Sequence, residues 1–410
     1  MKYRDPLKKI LSHPKARLHW DRNETRPAVL RAFRSALQCR TRALGAEVYA
    51  SEKQERIVYH TCKSRACPSC GYRRTVQWLR ERWAALPEVP YKGITFSMPD
   101  VLWSVFRDNP SLASALPALA ANIIQAWASA RHGLRVGVIA VLHTFNGELE
   151  FNSHVHAMLT AGGYKPAEPW VSSIYYDRDR LMKAWQQGVI GLIRAALQAG
   201  QLRTSMTMDD VERMLTQLKK LDDEHLVKEW RSAATKLLHA LTAEQLHTTM
   251  SVDQTELMLI QQEKLWWSIN IQSFEEKMHF LLYAGRYASR PPIAQHRIVW
   301  IGERRVTFWF KNKRFKSESR SYRIDQVHCS PEEFIDRWAQ HIPERYQHGV
   351  RSFGLFAPRA LGRTSAAIFA ILGQQRRPRP KSRRWAESVR RDFGHDPLLD
   401  YTGQRMKWVR

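Results

Sequence analysis

Residues 134–160 constrain the fold more than any other stretch. Two apolar runs, 134–143 and 149–160, flank a short turn, Thr144-Phe145-Asn146-Gly147. That pattern closes as an antiparallel β-hairpin. Side chains alternate faces along a strand, so His154 and His156 point one way while Phe151, Val155, Ala157 and Leu159 point the other. Two imidazoles at i and i+2 on one sheet face can grip a single metal ion. The partner strand ends in His143, which the hairpin can bring alongside as a third ligand.

Other elements follow from the same reading. A short apolar run at 89–98, bounded by Pro87, Pro90 and Pro99, predicts a buried strand. Pro117 opens an Ala-rich helix over 117–132 with Ile123, Ile124 and Trp127. From 175 to 262 the pattern turns helical and locally acidic. Val211, Met214, Leu215, Leu218 and Leu221 follow the helical period, and Asp209, Asp210, Asp222, Asp223 and Glu224 interrupt the general basicity. Residues 205–260 therefore read as a helical insertion between strands of one domain, with 266–271 returning to the same sheet as 134–160. A helix over 274–288 and a hairpin of 297–300 with 306–310 come next.

The charge balance narrows the partner. There are 65 Lys+Arg against 39 Asp+Glu, giving +26 and a pI near 10.2. Such a field favours polyanions, nucleic acid ahead of an anionic membrane surface. With 44% apolar and 25% charged residues, the chain is neither disordered throughout nor fibrous. No apolar run reaches the ~18 residues of a spanning helix without Arg, Lys, His or Gln, so no membrane partner is expected. The N-terminus has no apolar stretch like that of a secretory signal. The segment 376–391 holds eight basic residues and one acid and reads as a nucleic-acid arm.

Cys39, Cys62, Cys67, Cys70 and Cys329 form an odd set with three members crowded together, which suits a reduced intracellular protein with a metal site rather than a disulfide framework. Cys67-x-x-Cys70-Gly71 is a zinc knuckle in form. Zinc needs four ligands, and Cys62 with either Cys39 or His60 can complete them; the alternative is a packed, metal-free cluster. Arg65, Arg73, Arg74, Arg80 and Arg82 crowd the same region and suit the DNA backbone.

A last constellation is Tyr283-Ala284-Gly285-Arg286-Tyr287-Ala288-Ser289-Arg290. Tyrosines four apart share a helix face. A phenol is a poor nucleophile near neutral pH, with a pKa of ~10. It becomes useful when a metal or an arginine, here Arg286 or Arg290, neutralises a phosphodiester in front of it.

Together, His154-x-His156 on a strand and Tyr283-x-x-x-Tyr287 far downstream resemble the two-tyrosine rolling-circle transposases of bacterial insertion sequences. These belong to the His-hydrophobe-His single-strand endonucleases, with replication initiators and conjugative relaxases. The segments 137–144, 283–293, 297–298, 306–308 and 351–356 share the likeness, which covers roughly residues 30–360.

The resemblance implies an α+β fold: an antiparallel-sheet nuclease core with helices, a helical insertion, and an N-terminal zinc-ribbon-like module. The expected division is 1–85 for the basic module, 88–312 for the nuclease, 313–375 for its extension and 376–410 for a basic tail. It implies that the histidines hold Mg²⁺ or Mn²⁺ at the scissile phosphate of single-stranded DNA. A tyrosine attacks and stays joined to the 5′-phosphate, freeing a 3′-OH, and two tyrosines allow two sequential transesterifications. Imidazoles suit Mn²⁺ better than hard Mg²⁺, for which phosphate oxygens and water supply the missing ligands. The family also leads one to expect a further Cys-x-x-Cys pair near 50–54, which this chain lacks. A bacterial cytoplasmic, nucleoid-associated protein is implied. The rival functions are a plasmid relaxase or replication initiator, and a non-catalytic basic nucleic-acid-binding protein.

Overall fold

The computed structural model describes residues 5–16, 25–199, 267–288, 290–312 and 322–409. The insertion expected at 205–260 lies outside the described residues.

The chain opens with α1 (Pro6–Leu11) and α2 (Pro27–Gln38), then a hairpin of β1 (Ala46–Ala50) and β2 (Glu55–Tyr59), and α3 (Pro68–Ala85). Next come β3 (Tyr91–Ser97), α4 (Trp103–Asp108), α5 (Pro110–His132), β4 (Gly137–Phe145), β5 (Phe151–Thr160) and α6 (Arg178–Gln198). Beyond residue 266 follow β6 (Ser268–Phe274), α7 (Lys277–Gly285), β7 (Ile298–Ile301), β8 (Val306–Asn312) and β9 (Arg323–Cys329). The last elements are α8 (Pro331–Ala339), β10 (Val350–Gly354), α9 (Pro358–Ile371), α10 (Trp385–Phe393) and β11 (Lys407–Trp408).

The central sheet runs β10-β4-β5-β3-β6, and every neighbouring pair is antiparallel. This is the α+β, antiparallel architecture expected from the sequence, with β6 lying beside β3 as the reading of 266–271 required. Both faces of the sheet are covered. Val138, Ala140, Leu142, Val155, Ala157 and Leu159 pack against α4, α5 and α6 in one buried cluster. Ile139, Val141 and Met158 face the other way, toward Phe280, Tyr283 and Phe356. Gly137 is required here, because a Cβ on it would lie 2.6 Å from the Phe356 ring.

Helix α5 begins at Pro110 rather than at Pro117. Pro110 occupies the first turn, where a missing N–H is harmless, and Pro117 is carried inside the helix. Gly133 ends it at φ 63° and returns its N–H to Ser129. This helix is long and apolar enough to cross a membrane by length and composition, which the sequence reading did not expect. Leu116, Ala120, Ala121, Ile124 and Ala128 are buried in the cluster on the sheet, so its apolar stripe serves as core.

Two smaller sheets flank the centre. β7-β8-β9 packs on α1, α2 and α8 through Phe33, Phe308, Phe334 and Trp338. The hairpin β1–β2 is joined by β11, which pairs antiparallel with β1 through Tyr49–Trp408 and Ala50–Lys407. On the way the segment before α10 lies along α3: Arg73 donates to the Arg383 carbonyl, and Arg379 pairs with Glu81 at 3.1 Å.

Candidate metal centres and the tyrosine pair

Register in the β4–β5 hairpin sets the first site. His143 lies directly opposite His154, and Val141 opposite His156. Alternation then places all three imidazoles on the face shared with Ile139, Val141 and Met158. Their nitrogens fall within 4.8 Å of one another. His143 Nδ1 sits 3.1 Å from His154 Nε2. The other nitrogen of His154 is oriented by the Asn152 carbonyl at 2.8 Å, and Thr95 on β3 lies 3.1 Å from His156 Nδ1. Partners of this kind fix ring orientation at a metal site. Burial drives the His143 imidazole well below its ordinary pKa and His154 to about 4. Both rings are therefore neutral at physiological pH, the form that can ligate. His143 Nε2 is buried with no hydrogen-bond partner among the described residues. The donor set fits one divalent ion.

The tyrosines come from α7 and the turn after it. The sequence places both on one helix over 274–288, but the helix ends at Gly285 and Tyr287 sits in the following turn. The rings still meet, with centroids 5.1 Å apart. Tyr287 stacks on His156 at 3.6 Å and 23°, and meets His143 edge-on at 5.8 Å. The Tyr283 hydroxyl lies 3.4 Å from His156 Nδ1. Burial pushes Tyr283 up to about 12 and raises Tyr287, an effect that Arg286 and Arg290 oppose at Tyr287. Both arginines are thus within electrostatic reach of that phenol. Gly93 on β3 makes room for the pair, since a Cβ there would meet Tyr283 Cε1 at 2.9 Å.

The second site gathers four thiols. Cys39 follows α2, Cys62 follows β2, and Cys67 and Cys70 lie at the start of α3. Sulfur–sulfur distances are 3.7 Å (Cys39–Cys70), 3.6 Å (Cys62–Cys70) and 3.8 Å (Cys39–Cys67). A tetrahedron with Zn–S bonds of ~2.3 Å has edges of ~3.8 Å, so the set has the size of a Cys₄ zinc site. Hydrogen bonds from the other three thiols lower the pKa of Cys39, favouring thiolate there. Of the two candidates for the fourth ligand, the structure brings in Cys39. His60 instead turns to the Leu44 carbonyl at 3.1 Å and toward Glu47. No further Cys-x-x-Cys is needed, because residues 51–54 only connect β1 to β2.

His341 escaped the sequence reading. It follows α8, is 8% exposed, and lies 3.1 Å from the Leu149 carbonyl and 3.3 Å from Thr144. No local pattern marks it, since its proximity to the hairpin exists only in three dimensions.

An antiparallel sheet carrying three imidazoles, two phenols packed on them and a four-thiol module alongside describes a class of nucleic-acid-processing proteins, and comparison with known families is specific. A family profile described as "Putative transposase" (Y2_Tnp) matches residues 137–363, and one described as a transposase zinc-binding domain of the IS91 type matches residues 10–98. The first covers more than half of the chain, which therefore belongs to the Y2 transposase family. Among its relatives are the transposase for insertion sequence element IS801 of Pseudomonas savastanoi pv. phaseolicola, 28% identical over 82% of this chain and 72% of that protein, and "Putative transposase y4qJ" of Sinorhizobium fredii, 25% identical over 82% and 76%. No solved structure matches. Membership makes this a DNA-cleaving and strand-transferring protein of insertion sequences. The matched zinc-binding domain and the four-thiol geometry support zinc at Cys39, Cys62, Cys67 and Cys70.

Proposed function

We propose that the chain cuts and rejoins single-stranded DNA through a 5′-phosphotyrosine during rolling-circle transposition. The observation that carries this reading is the contact between phenols and imidazoles: Tyr287 stacked on His156 and the Tyr283 hydroxyl 3.4 Å from the same ring. A non-catalytic binder has no use for that arrangement. A relaxase or replication initiator shares it, but the zinc-binding transposase domain at 10–98 favours transposition.

His143, His154 and His156 would hold Mg²⁺ or Mn²⁺, which when bound polarises the scissile phosphate and stabilises its developing charge. The protein's own groups do the rest. Asn152 and Thr95 keep the imidazoles aimed at one point. The packed rings of Tyr283 and Tyr287 hold the phenols in place before DNA arrives, which removes orientational entropy from the barrier. Arg286 and Arg290 favour the phenolate and accept the phosphate's charge. In the first step a tyrosine oxygen bonds to phosphorus, the bond to the 3′ oxygen breaks, and the 3′-OH takes up the proton that the phenol gives away. Because the new phosphodiester keeps the energy of the old, rejoining needs no ATP. The second tyrosine permits a second exchange before the first is resolved.

The reading is tested by mixing 5′- and 3′-labelled single strands bearing an element end with the protein in Mn²⁺, Mg²⁺ or EDTA, followed by denaturing electrophoresis. A protein-linked band is expected from the 3′-labelled strand with either ion, only free product from the 5′-labelled strand, and no adduct with EDTA or with the Tyr283→Phe/Tyr287→Phe chain. An adduct formed by the Tyr283→Phe/Tyr287→Phe chain, or one carrying the 5′ label, would overturn it.

A further inference from the structure

A cleft opens where the β4–β5 hairpin meets the Cys-rich loop. Leu142, Thr144, Phe145, Phe151 and His341 line it together with Arg65 and Arg290. It begins one ring away from the triad: His143 and Phe145 have centroids 4.0 Å apart, and Phe145 and His341 5.4 Å. Phe151 and His341 are nearly parallel, at 16°.

Charge is uneven around this cleft. Arg26 on its wall is paired with Glu344, and Arg107 with Asp108. Arg65 is half-buried and Arg290 exposed, and neither has a carboxylate within ion-pair distance among the described residues, so both are open to an anionic ligand in the cleft. Two uncompensated guanidinium groups beside three aromatic rings match a phosphate joined to a base.

Arg65 belongs to the loop whose ends are Cys62 and Cys67, yet its guanidinium lies against the segment leading into β10. A Cβ on Gly349 would come within 2.9 Å of Arg65 Cζ, and the Gly349 carbonyl accepts from Leu142 N at 3.0 Å. The thiol cluster therefore fixes an arginine at the nuclease sheet.

We propose that this cleft seats the nucleotide adjoining the scissile phosphate, with Arg65 on its phosphate, Arg290 at the mouth between that phosphate and the scissile one, and Phe145, Phe151 and His341 against its base. The four-thiol module thereby acts as a positioning element for the strand as well as a fold stabiliser. The proposal rests on the single-strand cleavage reading above.

The test uses oligothymidylate carrying one 5-iododeoxyuridine, bound to the full Tyr283→Phe/Tyr287→Phe chain so that no covalent intermediate forms. Irradiation followed by peptide mapping is expected to place a crosslink at Phe145, Phe151 or His341. Binding of the same oligothymidylate should weaken about tenfold in Arg65→Gln and in Phe151→Leu, the loss expected for one phosphate or one stacked base. Zinc content confirms that each variant is folded; should Arg65→Gln lose zinc, Phe151→Leu and the crosslink decide. Crosslinks confined to other surfaces, or wild-type binding by the folded variants, would overturn the proposal. Neither readout requires cleavage, so a failure of the tyrosine chemistry leaves the result interpretable.

Discussion

Gly93 offers a way to move one tyrosine without touching it. Replacing it by Ala puts a methyl 2.9 Å from Tyr283 Cε1, 3.2 Å from Cζ and 3.3 Å from Phe274 Cε2. Carbon atoms prefer separations of ~3.5–4.0 Å, so the ring must retreat by roughly 0.6–1 Å. Strand β3 is hydrogen-bonded on both sides, to β5 and β6, and cannot yield in its place. Overpacking of this kind costs about 1–3 kcal/mol of stability, which a chain with three buried clusters tolerates. A misplacement near 1 Å at a reacting group costs on the order of 10²-fold in rate. Gly93→Ala should therefore bind single-stranded DNA and zinc as before while the step that uses Tyr283 slows about 10²-fold. Single-turnover cleavage and strand-transfer assays read that step. Wild-type rates in every step, strand transfer included, would refute the assignment of Tyr283.

Three further outcomes follow from the geometry. Tyr287→Phe should abolish first-strand cleavage, because Tyr287 lies on His156 and within reach of Arg286 and Arg290, whereas Tyr283→Phe should spare cleavage and block strand transfer; gels of the two products decide. Cys39→Ser should lose stoichiometric zinc while His60→Ala keeps it, as elemental analysis of the purified proteins will show. Burial pulls His341 down to about 4, so the unfolded chain takes up that proton first as pH falls. Stability from this group is complete above pH ~6.5 and falls by about 3 kcal/mol toward pH 4; urea denaturation across that range should be flatter for His341→Gln, and equal slopes would contradict the burial argument.

Much of the first site was legible because its signals are local. Alternation along one strand sets the faces of His154 and His156, and a hairpin turn brings His143 opposite them. The tyrosine spacing pointed to a shared face, although Tyr287 lies past the helix and reaches His156 through a turn. What stayed hidden depends on long-range packing. Cys39 lies 23 residues before Cys62, and only the return of β2 alongside β1 makes it, rather than His60, the fourth thiol partner. Arg65 was noted as part of a basic cluster, with nothing to say that it reaches Gly349. The basic stretch from 376 suggested an arm for DNA; its backbone lies along α3 because Arg73 and Arg80 donate to its carbonyls, an arrangement that charge counting does not foresee.

Identifying the residue that joins DNA tests the account most directly. The wild-type chain is incubated with Mn²⁺ and a single strand bearing the element end, the complex is digested with protease and nuclease, and the nucleotide-bearing peptide is sequenced by mass spectrometry. The expected product is a 5′-phosphate ester on Tyr287 or Tyr283, both in the stretch between Lys277 and Arg290. A nucleotide on any other residue, or a 3′-phosphate linkage, would contradict it.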